Sequence, residues 1–140
     1  KFSFRLNEGN FNLVIDDKNC DSVHAGHICR VSISPKRIRI SDDKEGAMKN
    51  TVREMRLDPD QKSKAEQIIK RHEQIVKHEF AKDKWYQIAV AIDGDKINVG
   101  LNNETVATLK SPGIAHPTKT QFGFTVIGDG VEFDNVEVLK

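Results

Sequence analysis

"KWYQIAVAIDGDKINVGLNNETVATLK", residues 84–110, runs through three alternating apolar and polar stretches joined by two short polar turns. Tyr86, Ile88, Val90 and Ile92 take every second position, and Ile97, Val99 and Leu101 do the same. A period of two puts such side chains on one face of a strand, so each stretch reads as a half-buried β-strand. Asp93–Lys96 (DGDK) and Asn102–Glu104 (NNE) supply the Asn, Asp and Gly that tight hairpin turns favour. The quoted segment therefore predicts an antiparallel meander.

The same period extends outward in both directions. Phe2, Phe4 and Leu6, then Phe11, Leu13 and Ile15, predict a strand pair turned at Asn7–Gly9. His27–Ser34 and Arg37–Ser41 predict two more around Pro35 and Lys36, and QFGFTVIG (121–128) and VEFDNVEVL (131–139) follow the loop KSPGIAHPTKT (110–120). In between, the period changes. Asp58 before Pro59 reads as a helix N-cap, and Ala65, Ile68, Ile69, His72, Ile75 and Val76 recur at intervals of three and four. That predicts one amphipathic helix over about residues 59–79, with lysines and glutamates on its solvent face. Eight to nine strands, one inserted helix and short turns predict an all-β fold, an antiparallel β-sandwich in a single domain over 1–140.

Composition narrows the partners. The 140 residues carry 22 Lys and Arg against 21 Asp and Glu, a formal charge of +1. That balance lacks the one-sided field that selects phosphate backbones, so no nucleic acid is expected. No apolar run approaches the roughly 20 residues of a membrane span, so no membrane insertion is expected. Because the chain opens inside an alternating run, KFSFRL, it reads as a fragment or module of a longer, exported chain.

Residues 84–138 resemble the second half of a concanavalin A-like, laminin G-type jelly roll. The likeness rests on the Trp85-Tyr86 strand opening, the Gly94-Asp95 hairpin, the SPGIAH loop at Ser111–His116 and the closing FDNVEV at Phe133–Val138. Their wording is most similar to the bacterial 3-keto-disaccharide hydrolase domain family. The resemblance implies a secreted or periplasmic sandwich that acts on or binds carbohydrate. Where that family carries an N-S-G-I type strand, this chain reads FNLVIDDK (11–18), and no catalytic residue is carried over.

Several residue groups invite chemistry. Within KNCDSVHAGHICRV (18–31), Cys20 and Cys29 would close a disulfide loop in an exported protein, or else Cys29 is a buried thiol and Cys20 a free one. His24 and His27, with Asp16 and Asp17, are the candidate metal ligands, for zinc with the cysteines or for calcium with Asp42 and Asp43. No motif demands a cofactor. The acidic pairs Asp16-Asp17, Asp42-Asp43 and Asp93/Asp95 sit at predicted turns, where Asp caps backbone groups. Arg30, Arg37 and Arg39 on one hairpin, with Arg5, are candidates to grip an acidic sugar through bidentate hydrogen bonds. Trp85 is either a sugar platform or a cover for the helix, and His116 is a further ligand candidate.

These readings predict a carbohydrate-binding or interaction module without catalysis. A glycoside or 3-keto-glycoside hydrolase and a purely structural packing domain are the alternatives. The partners expected are a carbohydrate, a neighbouring protein domain or, through an exposed sheet edge, a second copy.

Overall fold

A computed structural model describes residues 1–140 as two five-stranded antiparallel sheets packed face to face, with two helices between strands. The strands are β1 (Phe2–Leu6), β2 (Asn10–Asp16), β3 (His27–Ser34), β4 (Arg37–Asp42), β5 (Glu73–Lys77), β6 (Trp85–Asp93), β7 (Lys96–Leu101), β8 (Glu104–Lys110), β9 (Gln121–Ile127) and β10 (Val131–Asp134). Sheet A runs β10-β1-β6-β7-β8, and sheet B runs β5-β4-β3-β2-β9. The meander of residues 84–110 forms as expected, with Asp93 opposite Lys96 and Leu101 opposite Glu104. Asn102 and Asn103 both take positive φ (48° and 72°), the left-handed pair a two-residue hairpin needs.

The inward positions of both sheets close one core. Phe2, Phe4, Phe11, Phe80, Tyr86, Phe124 and Phe133 form its aromatic end, with ring centroids 4.3 to 6.4 Å apart in mostly tilted and edge-on contacts. Ile28, Val31, Ile33, Ile38, Ile40, Ile88, Ile97, Val99 and Ile114 fill its aliphatic end, every one of them essentially sealed from solvent. Alternation in the sequence thus becomes burial at period two, as in the pattern of β1, where Phe2, Phe4 and Leu6 are buried and Ser3 and Arg5 are not.

Two expectations are corrected. β1 and β2 are not a hairpin: β1 pairs with β6 and β10 in sheet A, and β2 with β3 and β9 in sheet B, so Asn7–Gly9 carries the chain from one sheet to the other. The single helix over 59–79 is instead α1 (Asn50–Leu57), α2 (Lys62–Arg71) and strand β5. Asp58 is the C-cap of α1, its N–H bonded to Met55 O (3.2 Å), while its own carbonyl accepts from Gln61 and Lys62 and its Oδ1 from Asp60. Asp58-Pro59 therefore makes the turn between two helices. Ile75 and Val76 fit a helical period, yet they lie opposite Arg39 and Ile38 in a ladder with β4. That ladder satisfies backbone groups which an uncovered β4 would leave to solvent, and it supplies the tenth strand.

Candidate functional site

The outward positions of sheet B carry most of the fold's half-buried charge. On β3 these are Arg30 and Ser32, on β4 Arg37, Arg39 and Ser41, and on β5 Glu73 and Ile75. Arg30 donates through Nε and Nη2 to Asp43 Oδ2, both at 2.9 Å, and Ser41 Oγ donates to Asp43 Oδ1 (3.2 Å). Arg39 meets Glu73 in the same two-pronged way at 2.6 Å. Asp43 is 1% exposed, and its burial pushes the carboxyl pKa up against the pull of Arg30. Across the same face Asn12 Nδ2 donates to Thr125 Oγ1 (2.9 Å).

A β-bulge decides what stands at the end of this face. Ile15 lies opposite Cys29 but Asp16 lies opposite His27, which leaves Ile28 without a partner. Ile28 and Cys29 both enter the core, fully buried, while His27 stays partly exposed against Asp16. By strand alternation alone His27 and Cys29 would share a side. The bulge separates them and puts His27 with the outward residues. Its Nδ1 lies 2.7 Å from Asp16 Oδ1. A carboxylate only accepts, so Nδ1 donates, and in the neutral ring Nε2 keeps its lone pair.

The next residue repeats the arrangement on a different histidine. Asp17 Oδ2 lies 2.8 Å from His116 Nε2 and accepts from Thr118 Oγ1, and Asp17 Oδ1 accepts from Asn19 N (2.9 Å). The Thr118 and His116 contacts and the Asn19 amide hold the Asp17 carboxyl at about 2, well below its usual value. Gly26 makes the close approach here possible, with φ of +74°: its carbonyl accepts from Asp17 N (2.9 Å), and a Cβ would fall onto the Asp17 carbonyl. Behind both pairs, Asp42 points the other way. Its Oδ2 accepts from Ser111 Oγ (2.5 Å) and Gly113 N (2.8 Å), and its Oδ1 from Glu45 N (3.0 Å). This ties the Pro112–Ala115 turn to the end of β4. A side chain at Gly113 would fall onto that carboxylate.

The structure sorts the sequence candidates accordingly. Arg30, Arg37 and Arg39 do share one face. Trp85 and Arg5 lie on the outer face of the other sheet, stacked on each other with Arg5 Cζ 5.0 Å from the ring centroid and Arg5 bonded to Glu132. Trp85 is thus neither beside the three arginines nor a cover for the helices. His24, His27, Asp16 and Asp17 do not form a metal site: no three His, Cys, Asp or Glu side chains converge in the geometry of one. They resolve into the two Asp–His pairs, with His24 only ring-to-ring with His27 at 6.1 Å. Cys20 and Cys29 are free thiols, because Cys29 turns into the core while Cys20 Sγ sits 3.5 Å from Ser22 Oγ. Burial pushes the Cys29 thiol up to about 12, which keeps it protonated. Asp16, Asp17, Asp42 and Asp43 are all buried, and two of them cap local backbone as turn aspartates do, Asp17 at Asn19 N and Asp42 at Glu45 N. The pairing of His116 with Asp17 had no signal in the sequence, since 99 positions separate them.

A family model described as the 3-keto-alpha-glucoside-1,2-lyase-like domain matches residues 6–139. The chain belongs to this family. The match spans both sheets and the helical segment, so the Asp–His pairs and the Arg30–Asp43 pair all lie within the lyase-like domain. No curated protein matches the chain. An apolar cleft of about 750 Å3 between β6 and β9 is lined by Phe2, Leu13, Ile15, Val90, Ile92 and Phe122 among others. Its lining is mainly hydrophobic, with Lys1, Lys119 and Glu137 as the ionisable residues and no histidine.

Proposed function

We propose that the domain binds 3-keto-glucosides on the outer face of sheet B and cleaves them by elimination across C1 and C2. The observation that carries this reading is the Asp16–His27 pair, with Nε2 free, on the face that also holds Arg30 and Asp43. The family description supplies the substrate class. A ketone at C3 acidifies the hydrogen on C2, so a positioned imidazole suffices as base. His27 Nε2 takes that proton, and the electron pair moves into a C2–C3 enolate whose charge rests on the C3 oxygen. Arg30 uses two of its N–H donors on Asp43 and has others to offer that oxygen. Collapse of the enolate restores the C3 ketone, forms the C1–C2 double bond and breaks the C1–O bond. Water protonates the departing aglycone oxygen. Asp16 holds the ring in its tautomer and balances the imidazolium that forms.

A 3-keto-glucoside with a chromogenic aglycone tests this. The wild-type protein is expected to release aglycone and yield an unsaturated 3-keto sugar, and His27→Gln to lower kcat by about 10²–10⁴-fold. Asp16→Asn is expected to lower kcat with KM little changed. The second reading is a glycan-binding module without turnover. It is favoured by the fact that Arg30 and Arg39 are both already paired with carboxylates. Saturable binding of the keto-glucoside without product, unaffected by His27→Gln, would decide for it.

A further inference from the structure

The helical segment between β4 and β5 adds a second feature beside this face. A groove of about 330 Å3 lies between the helices and the strand edge, lined by Arg37 and Arg39 of β4, Arg56 of α1, Glu66, Ile69 and Lys70 of α2, and Glu73 and Ile75 of β5. Four cations face two carboxylates. Arg39 and Glu73 neutralise one another at 2.6 Å, while Arg37, Arg56 and Lys70 make no ion pair and no side-chain hydrogen bond. Glu66 is the one unpaired acid opposed to them. These three cations are solvent-exposed, so water and salt screen their mutual repulsion, and an anion placed among them gains most at low ionic strength. Guanidinium groups present planar forks that match carboxylate and sulfate oxygens, and Ile69 and Ile75 offer an apolar wall for the C–H face of a sugar ring.

We propose that this groove is a subsite for an acidic saccharide, whose carboxylate or sulfate ester is held by Arg37 and Arg56 with Lys70 as a third charge. The assignment rests on the outer face of sheet B being the sugar-binding face, since the Arg39–Glu73 pair belongs to both. It names the class of glycan that the preceding reading leaves open: one with an anionic group next to the residue that is cleaved. Arg56 and Lys70 also sit in the last turns of their helices, where a cation complements the helix dipole. A purely structural role of that kind would affect folding and leave binding untouched.

Titration calorimetry separates the two roles. The probes are a disaccharide ending in glucuronate, its 6-O-sulfated glucose counterpart and the neutral glucose disaccharide, each at about 0.01 M and about 0.15 M ionic strength. The wild-type protein is expected to bind at least one acidic probe about tenfold more tightly than the neutral one at low salt, with the preference shrinking at the higher salt. The double variant Arg37→Gln/Arg56→Gln is expected to lose that preference with its urea midpoint unchanged, and His27→Gln to keep it. Which acidic probe binds tells carboxylate from sulfate. Equal affinity for all three probes, or an acid preference that survives in the double variant, would overturn the proposal. Absence of keto-glucoside turnover in a protein that still prefers acidic probes would count against the elimination reading alone.

Discussion

The outer faces of the two sheets start from the same alternation and end differently. On sheet A, Trp85 is 43% exposed and Arg5 lies over its ring, with Glu132 alongside. On sheet B the paired outward charges are largely buried, Asp43 sealed and the Arg30 side chain 17% exposed, while unpaired Arg37 at the start of β4 is open to solvent. The difference lies in what the chain does after each strand. In sheet A, β6, β7 and β8 are joined by two-residue turns that add nothing over the outer face, whereas the ends of β2 and β4 lead into irregular segments that fold back. The backbone N–H groups of Asp43 and Lys44 both bond to Ile28 O, and the His116–Thr120 loop bonds to Asp16 and Asp17. Charges removed from water need fixed partners, and fixed partners are what a binding or catalytic site requires. Burial of polar groups, rather than the presence of an exposed aromatic, is the ground on which we propose sheet B as the functional face.

The largest effect is expected at Asp42. Asp42→Ala removes the acceptor of three donors in a buried site, and is expected to destabilise the fold by about 3–5 kcal/mol in urea unfolding. Phe4→Ala on the inward side of sheet A is expected to cost about 3–5 kcal/mol by leaving a cavity, so cores and polar anchors weigh alike while outer faces do not. At Asp17 the effect is one of pH. The folded pKa of about 2 lies below the unfolded value of 3.8, so the unfolded chain binds more protons between them. The contribution of Asp17 is complete above about pH 4 and fades as pH falls toward 2. Thr118→Val removes the first cause of that depression, and is expected to make acid unfolding set in at higher pH. The smallest effect is expected at Trp85. Trp85→Ala loses the Arg5 contact, worth about 0.5–1 kcal/mol at an exposed site, and leaves binding of keto-glucosides unchanged.

The sandwich could be read from the sequence because its signal is local: period two in Tyr86–Ile92 and Ile97–Leu101 needs no partner to be visible. The resemblance of residues 84–138 to a jelly roll pointed the same way, and the family match extends it to residues 6–139. What could not be read was long-range. Asn7–Gly9 looks like a hairpin turn, yet sheet membership depends on β10 and β6, which come 80 or more residues later. Ile75 and Val76 carry a helical spacing that pairing with β4 overrides. At the site, the sequence points to Asp16, Asp17 and His27 as metal ligands and to His116 as a separate ligand. The bulge at Ile15/Asp16 and the return of the 116–120 loop turn them into two Asp–His pairs, and neither leaves a mark in spacing.

The proposed sugar-binding surface is the outer face of sheet B. Backbone amide chemical shifts, recorded while an unreactive 3-keto-glucoside analogue is titrated into the protein, test it most directly. Perturbations are expected only at His27–Ser32, Arg39–Asp43 and the neighbouring β5, with none at Ser3–Arg5 or Trp85–Gln87. Perturbations centred on Trp85, or on the apolar cleft at Val90, Ile92 and Phe122, would contradict it.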